Sequence, residues 1–274
     1  MTVLERIKAK ARELLAEKKV DVVIGFTKGS IHNKCTPCFV RETADLDNLV
    51  WEEGCDLNLA NYLVKVAGRA AIIVKGCDSR SIVNLIKENQ LTRERVYIIG
   101  TGCPSTGSCK NCRQTGAVLA DYLIDDEKQE EQADSFSDVA EFARLSPEKR
   151  KEYFYHEVSK CIRCYACRNV CPACYCKECF VEEHLPGWVG KTTDIADNAV
   201  FHLTRALHVA GRCIGCGACV RACPMGIDLA ILNRKVLQDS RDFFQDRSGF
   251  DPGQELVLNT FREDDPQSFL LGGE

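Results

Sequence analysis

The N-terminal part of the chain alternates between two kinds of apolar spacing. Three segments repeat apolar side chains every three or four residues, which predicts helices, at 3–18, 57–66 and 76–90. Three short, continuous apolar runs predict buried strands, at 20–25, 70–74 and 96–99. Strands that alternate with helices along a chain are typical of parallel sheets. We therefore predict an α/β domain with a parallel-type sheet over residues 1–124.

The apolar pattern changes after residue 124. Residues 125–137 contain six acidic side chains, one basic side chain and few apolar ones. A serine followed by a proline at 146–147 then fits a helix start, because serine caps the first turn and proline tolerates its first position. We therefore predict an acidic linker and a helix over 125–150.

Helical spacing returns in the C-terminal half of the chain. It covers residues 194–210, which separate two groups of cysteines, and residues 227–244. We therefore predict an α-rich domain with a helical insert over 151–245. The remaining residues, 246–274, contain two prolines and mixed charge and predict an extended C-terminal arm.

Composition narrows the class of protein. The chain has 274 residues, of which 45% are hydrophobic and 18 are cysteines, and its net charge is −4. The hydrophobic fraction excludes wholesale disorder, and the charge gives no footprint for nucleic acid. No apolar run approaches the roughly 20 residues of a membrane span, and the first residues lack the apolar core of a secretory signal. We therefore expect a cytoplasmic chain whose cysteines are metal ligands or reactive thiols rather than disulfides.

Two copies of one cysteine motif carry the clearest chemical signal. The first copy is Cys161-x2-Cys164-x2-Cys167-x3-Cys171-Pro172. The second copy is Cys213-x2-Cys216-x2-Cys219-x3-Cys223-Pro224. This spacing is typical of bacterial two-cluster ferredoxins. Three cysteines at two-residue gaps can bind three corners of one iron–sulfur cube, whereas the fourth cysteine lies beyond a turn and reaches the other cube.

The C-terminal domain is therefore predicted to contain a bacterial 2[4Fe–4S] ferredoxin-like module with exchanged ligands. The ligands of the first cluster are Cys161, Cys164, Cys167 and Cys223. The ligands of the second cluster are Cys213, Cys216, Cys219 and Cys171. Structural zinc fits less well, because zinc sites use paired Cys-x2-Cys knuckles rather than a triple run.

The two loops differ in the residues between their cysteines. The second has Gly215 and Gly217, which allow backbone N–H groups to approach the sulfurs, whereas the first has Arg163, Tyr165 and Arg168. Positive charge favours the more negative, reduced form of a cluster, so we hypothesise that the first cluster has the higher reduction potential. The alternative is that both arginines point outward and bind a partner.

The other ten cysteines fall into three groups. Four of them would meet at one edge of the predicted sheet, where α/β folds place their sites: Cys77, Cys103, Cys109 and Cys112. They are candidate ligands of a third iron–sulfur cluster, with zinc or a redox-active dithiol as the alternatives. Candidate further metal ligands are Cys55, Cys174, Cys176 and Cys179. For the pair Cys35-Thr-Pro-Cys38, free thiols and redox-active thiols are equally open.

The sequence offers little support for acid–base or nucleotide chemistry. The five histidines are scattered, and we expect them to be surface or packing residues, so no catalytic residue is assigned. Neither a G-x-G-x-x-G run after a strand nor a Walker loop occurs, so the sequence lacks a dinucleotide fingerprint. An FAD or FMN cofactor is compatible with the sequence but is not indicated by it.

Five segments carry a family resemblance. Those in the N-terminal half are Asn58-Leu-Ala-Asn-Tyr-Leu63, Gly76-Cys-Asp-Ser-Arg80 and Val96-Tyr-Ile-Ile-Gly100, and those in the C-terminal half are residues 161–180 and 208–219. The first three resemble the beta-subunit family of deazaflavin-reducing hydrogenases and dehydrogenases. The last two are similar to an iron–sulfur branch of that family, whose members accompany heterodisulfide-reductase-like and flavin oxidoreductase complexes of anaerobes. The resemblance extends over nearly the whole chain and implies a subunit that moves electrons within a larger complex.

Motifs and resemblance together predict an iron–sulfur electron-transfer subunit of an anaerobic, multi-subunit oxidoreductase. It would relay single electrons between a flavin- or metal-bearing partner and another redox partner. The resemblance implies flavoprotein, heterodisulfide-reductase-like or hydrogenase/dehydrogenase subunits as these partners. One alternative is a flavin-binding catalytic beta subunit that reduces a deazaflavin or a nicotinamide. A second alternative is a thiol/zinc redox sensor.

Overall fold

The computed structural model of the chain describes residues 1–105, 109, 112, 114–124, 135–187 and 189–257. These residues form two compact units. The first contains residues 1–124 together with Val170–Tyr175, and the second contains Ser135–Asn169 and residues 176–257. Most of the predicted acidic linker and the end of the predicted C-terminal arm lie outside the described residues, and the predicted domain boundaries stay predictions.

The first unit is an α/β fold. Its strands are β1 (Val22–Lys28), β2 (Cys35–Val40), β3 (Ala70–Val74), β4 (Val96–Gly100) and β5 (Tyr122–Leu123). Its α-helices are α1 (Val3–Ala16) and α2 (Gly76–Lys87), and short 3-10 helices cover Thr43–Asn48, Leu59–Lys65 and Arg93–Arg95. The mostly parallel α/β domain that the sequence predicts is therefore confirmed.

The five strands form one sheet in the order β2-β1-β3-β4-β5. Neighbours from β1 to β5 are parallel, with Ile72 opposite Ile24 on one side and Ile98 on the other. Alternate residues of the central strands are buried on opposite faces, against α2 and Leu59–Lys65 on one face and against α1 and Thr43–Asn48 on the other. Because both faces are covered, the strands read as continuous apolar runs in the sequence.

Strand β2 is an element that the sequence pattern did not indicate. It pairs with β1 in antiparallel register, with Lys28 opposite Cys35 and Phe26 opposite Pro37. Proline cannot donate a backbone hydrogen bond, and it is tolerated here because β2 is the edge strand of the sheet. The segment predicted as a helix at 57–66 is instead the 3-10 helix Leu59–Lys65, whose first turn is capped by Asn58.

The second unit is built, over its described residues, from helices and the loops that join them. The helices are α3 (Ser137–Ala143), α4 (Pro147–Ser159), α5 (Ala166–Asn169), α6 (Ile195–His208), α7 (Ala218–Arg221) and α8 (Ala230–Phe244). The predicted helix start at 146–147 is confirmed, because the Ser146 hydroxyl accepts the N–H of Lys149. Asp194 caps α6 in the same way, by accepting the N–H of Ala196 at 2.9 Å.

A small core joins the cysteine loops of the second unit to its helices. Phe201 on α6 is buried in this core with Cys161 and Cys167 of the first motif. Cys219 and Cys223 of the second motif pack against the same core. The helical insert between the two motifs therefore serves as the packing partner of their loops.

Among the residues that the structure describes, none of the helices is both long and apolar enough to cross a bilayer.

Candidate metal centres

The loop of the first motif adopts a left-handed backbone at two non-glycine residues. Arg163 has φ +57° and Tyr165 has φ +59°. This conformation turns the N–H of Arg163 back toward the motif, where it donates to Cys161 Sγ at 3.4 Å. A left-handed conformation costs a non-glycine residue roughly 1–2 kcal/mol, so the loop accepts strain at two positions.

The loop of the second motif has the same conformation, here at glycines. Gly215 has φ +71° and Gly217 has φ +69°, and Gly215 N–H donates to Cys213 Sγ at 3.4 Å. The sequence associated the approach of backbone N–H groups to sulfur with the glycines of this loop. The structure shows the approach in both loops, so glycine makes this turn easier but is not required for it.

Four thiols of the two motifs lie close enough to influence each other's protonation. Burial raises the pKa of Cys167 to about 11. The charge of Arg205 opposes this shift, whereas the neighbouring thiols of Cys219, Cys161 and Cys223 add to it. Burial also raises the pKa of the Cys161 thiol, despite the N–H of Arg163. A cationic centre would convert these neighbouring thiols to thiolate ligands, so this donor set fits a thiolate-ligated metal cluster.

Neutral donors complete the surroundings of these sulfurs. The Asn233 side-chain amide on α8 donates to Cys219 Sγ at 3.4 Å. With the backbone N–H groups of the two loops, it forms the set of N–H···S contacts that stabilises negative charge on cluster sulfurs. The residues therefore fit the predicted iron–sulfur groups.

Two buried arginines surround the first motif. Arg163 is 7% exposed, donates to the carbonyl oxygens of Asp197 at 3.0 Å and Gly190 at 2.7 Å, and stacks 4.7 Å from the Phe201 ring centre. Arg205 on α6 is 5% exposed and donates to the carbonyl oxygen of Cys167 at 3.0 Å. The sequence missed Arg205, since only the packing of α6 brings it to a cysteine 38 residues away.

Two other arginines of the motif regions, Arg168 and Arg221, are less buried than this pair. Arg168 forms an ion pair with Glu182 at 2.9 Å and remains partly exposed. Arg221, on α7 of the second motif, donates to the carbonyl oxygen of Cys216 at 3.0 Å and is also partly exposed. The alternative in which both first-loop arginines point outward is therefore wrong for Arg163, which is buried.

His202 lies on α6 between the buried arginines. Burial, together with the charges of Arg205 and Arg163, lowers its pKa to about 4. Its ring packs 4.9 Å from that of Phe201, and neither ring nitrogen has a hydrogen-bond partner among the described residues. His202 is therefore a neutral packing residue.

The N-terminal cysteine group lies at the carboxyl ends of β3 and β4. Cys77 is in the first turn of α2, directly after β3, and Cys103 follows β4. Burial raises the pKa of Cys103, and the charges of Cys112 and Cys109 act in the same direction. Cys112 N–H also donates to the Cys109 carbonyl oxygen at 3.2 Å. The structure thus brings Cys103, Cys109 and Cys112 together, with residues 106–108, 110–111 and 113 outside the described part.

A buried lysine links Cys77 to this group. Lys75 is 2% exposed, and its Nζ donates to Asp78 Oδ2 at 2.9 Å and to the Leu57 carbonyl oxygen at 2.6 Å. Burial opposes its charge, yet Asp78, Cys77 and Cys103 keep the pKa of its ammonium above the usual value. A buried cation beside several thiols fits a metal centre with anionic ligands. The sequence missed Lys75, whose only signal is a charged residue at the end of a buried strand.

The remaining predicted ligands are dispersed. Cys55 is fully buried in the first unit, where its thiol donates to the Val50 carbonyl oxygen at 4.0 Å and interacts with the side chain of Cys35. Cys171 and Cys174 lie in the segment Val170–Tyr175 of the first unit, where Tyr175 donates its hydroxyl to Glu88 at 2.7 Å. Their ligation stays a prediction.

Cys176 and Cys179 belong to the second unit. Cys176 is exposed, whereas Cys179 N–H donates to Glu182 at 3.1 Å. Among the described side chains, no group of three or more His, Cys, Asp or Glu has the spacing that a single metal ion needs.

Comparisons with known proteins agree with the cysteine pattern. Residues 157–227 match the family model described as a 4Fe-4S dicluster domain. The F420-dependent formate dehydrogenase subunit beta of Methanocaldococcus jannaschii is 37% identical over 113 residues, which are 41% of this chain and 27% of that protein. The F420-dependent formate dehydrogenase 1 subunit beta of Methanococcus maripaludis is 35% identical over 100 residues, 36% of this chain and 25% of that protein.

These matches cover about a quarter of the length of each relative. They include the beta subunits of deazaflavin-linked dehydrogenases, and the dicluster match falls on both cysteine motifs. The predicted resemblance is therefore confirmed: the chain is similar to iron–sulfur beta subunits of deazaflavin-linked dehydrogenases.

Proposed function

We propose that the chain is an iron–sulfur electron-transfer subunit of an oxidoreductase. The observation that carries the proposal is the repeated loop geometry, in which Arg163 and Gly215 each direct a backbone N–H at a motif cysteine. The match of residues 157–227 to a 4Fe-4S dicluster domain supports it. The α-rich part of the chain is accordingly a ferredoxin-like module with two [4Fe–4S] clusters.

The ligands follow the exchanged pattern of the two motifs. Cys161, Cys164, Cys167 and Cys223 hold the first cluster. Cys213, Cys216, Cys219 and Cys171 hold the second. When bound, such clusters supply one-electron redox chemistry, so the chain relays single electrons rather than transforming a substrate. Its own N–H donors stabilise the negative charge that accompanies reduction.

The first site is proposed to have the higher reduction potential. Arg163 and Arg205 are both buried against it, where low dielectric strengthens their effect. Arg221, at the second site, is partly exposed and therefore more strongly screened. This difference gives electrons a preferred resting place at the first site.

A third metal centre in the first unit extends the relay. Its proposed ligands are Cys77, Cys103, Cys109 and Cys112, and its support is the buried Lys75 that faces two of them. A tetrathiolate iron–sulfur cluster and a tetrathiolate zinc both carry net negative charge that an ammonium would stabilise. Metal analysis distinguishes the two.

The partners are proposed from the relatives. Both relatives are named as subunits of formate dehydrogenases, which supports a place for this chain in a multi-subunit redox complex. We propose that it receives electrons from a flavin- or metal-bearing subunit in the cytoplasm, where thiolate ligands stay reduced.

The test is the stoichiometry of iron, sulfide, zinc and flavin on anaerobically purified chain. About eight irons per chain support the two-cluster relay, and about twelve add the third centre as a cluster. Replacing Cys77 with serine should then reduce about twelve irons to about eight, whereas Cys38→Ser, at a thiol assigned to no metal centre, is the matched control. Zinc in place of iron throughout would overturn the proposal in favour of a thiol/zinc sensor.

A second candidate function is supported by the names of the relatives, which are F420-dependent enzymes. In this alternative the chain binds flavin and itself reduces a deazaflavin or a nicotinamide. About one flavin per chain, together with deazaflavin reduction by the isolated chain, would favour it. Iron without flavin, and no such activity, favours the relay.

A further inference from the structure

In the first unit, the fold places next to each other two cysteines whose spacing in the sequence does not suggest a pair. Two residues lie between Cys35 and Cys38 in the sequence, as in redox-active pairs. Both lie on strand β2, where residues separated by three positions point to opposite faces. Cys35 accordingly packs in the core on the α2 face, and Cys38 packs in the core on the α1 face. These two cysteines therefore cannot face each other.

The partner of Cys35 is Cys55 instead. The side chains of Cys35 and Cys55 interact with each other, and the Cys35 N–H donates to the Gly54 carbonyl oxygen at 3.2 Å. The Cys35 thiol donates to the Glu53 carbonyl oxygen, and the Cys55 thiol donates to the Val50 carbonyl oxygen, at 4.0 Å each. Both the backbones and the side chains of the two segments are therefore in contact.

Gly54 makes this approach of the two segments possible. Its φ is +97°, and a Cβ at this position would lie 2.4 Å from the Asn33 carbonyl oxygen. The Gly54 N–H is fixed by the Ser105 hydroxyl at 3.0 Å. The backbone next to Cys55 is thus held against the segment that leads into Cys35, which keeps the two residues adjacent.

We propose that Cys35 and Cys55 are a redox-active dithiol that closes to an internal disulfide when the chain meets a peroxide. Cys35, which is 7% exposed compared with 0% for Cys55, is the thiol that the oxidant reaches. An open cleft of about 640 Å³, lined in part by Lys34 and Glu53, lies beside it and admits a small molecule.

The reaction balances in two steps. The Cys35 thiol gives up its proton as its sulfur attacks one peroxide oxygen and the O–O bond breaks. The departing hydroxide takes that proton and leaves as water, while the sulfur keeps the other oxygen as a sulfenic acid. Cys55 sulfur then attacks the sulfenic sulfur, the S–O bond breaks, and the second water leaves as the S–S bond forms. Two thiols are oxidised by two electrons in total, and hydrogen peroxide is reduced to two waters.

The resting state of the pair is the dithiol. Both thiols carry a proton in this state, since each donates to a carbonyl oxygen. Oxidation therefore removes two protons with two electrons, unlike the one-electron steps proposed for the cysteine motifs. The pair includes none of the ligands proposed above for the three metal centres, and its reaction can be followed whether or not those centres are filled.

The experiment is disulfide mapping of the anaerobically purified chain after exposure to hydrogen peroxide. Free thiols are alkylated in denaturant and the chain is cut with trypsin, which should release peptides 35–41 and 42–65. We expect these two peptides to be joined in the wild type and in the matched control Cys38→Ser. The joined species should fall at least tenfold in Cys55→Ser and disappear on reduction.

Two results would overturn the proposal. One is a disulfide within peptide 35–41, which would join Cys35 to Cys38. The other is full alkylation of Cys35 and Cys55 in the wild type after a tenfold excess of peroxide, which would make them inert core residues. Both are read on the wild type, so misfolding of a variant does not affect them. Iron content, measured on the same samples, reports separately on the proposed clusters.

Discussion

The two cysteine loops of this protein share a backbone but not the residues that form it. Residues 163 and 165 of the first loop, and 215 and 217 of the second, all have φ between +57° and +71°. The second loop uses glycine at both positions, whereas the first uses Arg163 and Tyr165. Glycine adopts this conformation freely, and other residues do so only against steric resistance.

The strained loop gains side chains that glycine cannot provide. Arg163 places a buried guanidinium near Cys161, and Tyr165 packs 5.5 Å from Phe201. The second loop gains conformational ease, and its nearby cation, Arg221, comes from the following helix. The same loop backbone can therefore be built with different electrostatic surroundings.

The largest expected effect comes from removing the fourth cysteine of each motif, which tests the exchanged ligation. Cys223→Ser should remove the first cluster and Cys171→Ser the second, because each fourth cysteine is predicted to bind the cluster of the other motif. Each variant should lose about four irons per chain and one of two electron paramagnetic resonance signals. Cys38→Ser, at a thiol assigned to no cluster, should lose neither.

The pattern of lost signals decides the assignment. Signals are identified with Cys164→Ser for the first site and Cys216→Ser for the second. If Cys171→Ser removes the same signal as Cys164→Ser, each motif binds its own cluster and the exchanged ligation is wrong.

The second-largest expected effect, on the reduction potential of the first site, comes from removing the buried charge of Arg163. Arg163→Gln keeps a non-glycine residue in the left-handed conformation and removes the charge, together with the guanidinium's contacts to Asp197, Gly190 and Phe201. A unit charge about 8 Å away contributes about 2 kcal/mol at an effective dielectric constant of about 20, so the first-site potential should fall by roughly 50–100 mV. Anaerobic redox titration followed by electron paramagnetic resonance measures it.

Arg221→Gln is the matched variant at the second loop. Its shift should be smaller and confined to the second site, because water screens this partly exposed arginine. Unchanged potentials in Arg163→Gln would show that its guanidinium has only a packing role.

A smaller effect tests the conformational side of the comparison. Gly215→Ala should destabilise the chain by about 1–2 kcal/mol, because alanine resists a φ of +71°. The added Cβ would also meet Leu237 at 3.3 Å. Denaturant unfolding under anaerobic conditions measures the loss, with Gly187→Ala, at an open position, as the control. Equal stability of the two variants would contradict the assigned role of glycine in this loop.

The smallest effect concerns pH and the first loop alone. The pKa of His202 is lowered to about 4 by burial and the neighbouring arginines, whereas in the unfolded chain it is near 6.5. The unfolded chain therefore binds the extra proton first, and stability falls as the pH drops from 6.5 toward 4. Between pH 7 and 5.5 this loss should be about 1 kcal/mol.

The loss is measured by anaerobic urea unfolding at several pH values. His202→Leu should remove that part of the pH dependence, and the exposed His156→Leu should leave it in place. A pH dependence that is identical in wild type and His202→Leu would mean that His202 is charged or solvated in the folded chain.

Much of the local structure could be predicted from the sequence. The continuous apolar runs at β1, β3 and β4 indicated a sheet covered on both faces, and Ser146 indicated the start of α4. These signals depend on residues only a few positions apart. The edge strand β2 was missed because its burial is irregular and it contains Pro37.

The sequence by itself indicated the iron–sulfur class of this protein, which the match to a 4Fe-4S dicluster domain supports. The cysteine spacing of the two motifs lies within short loops, so the type of cluster can be read without knowing the fold. The chain order of strands and helices similarly determined the α/β class of the first unit.

Only the tertiary structure decided which side chains surround these cysteines. Arg205 reaches Cys167 across 38 residues, and Cys55 rather than Cys38 meets Cys35 because β2 alternates its faces. Burial of Lys75 likewise depends on the packing of Leu57 and Phe26 around it. Spacing along the chain determines what a loop can bind, whereas burial and charge come from contacts between distant segments, which no local pattern records.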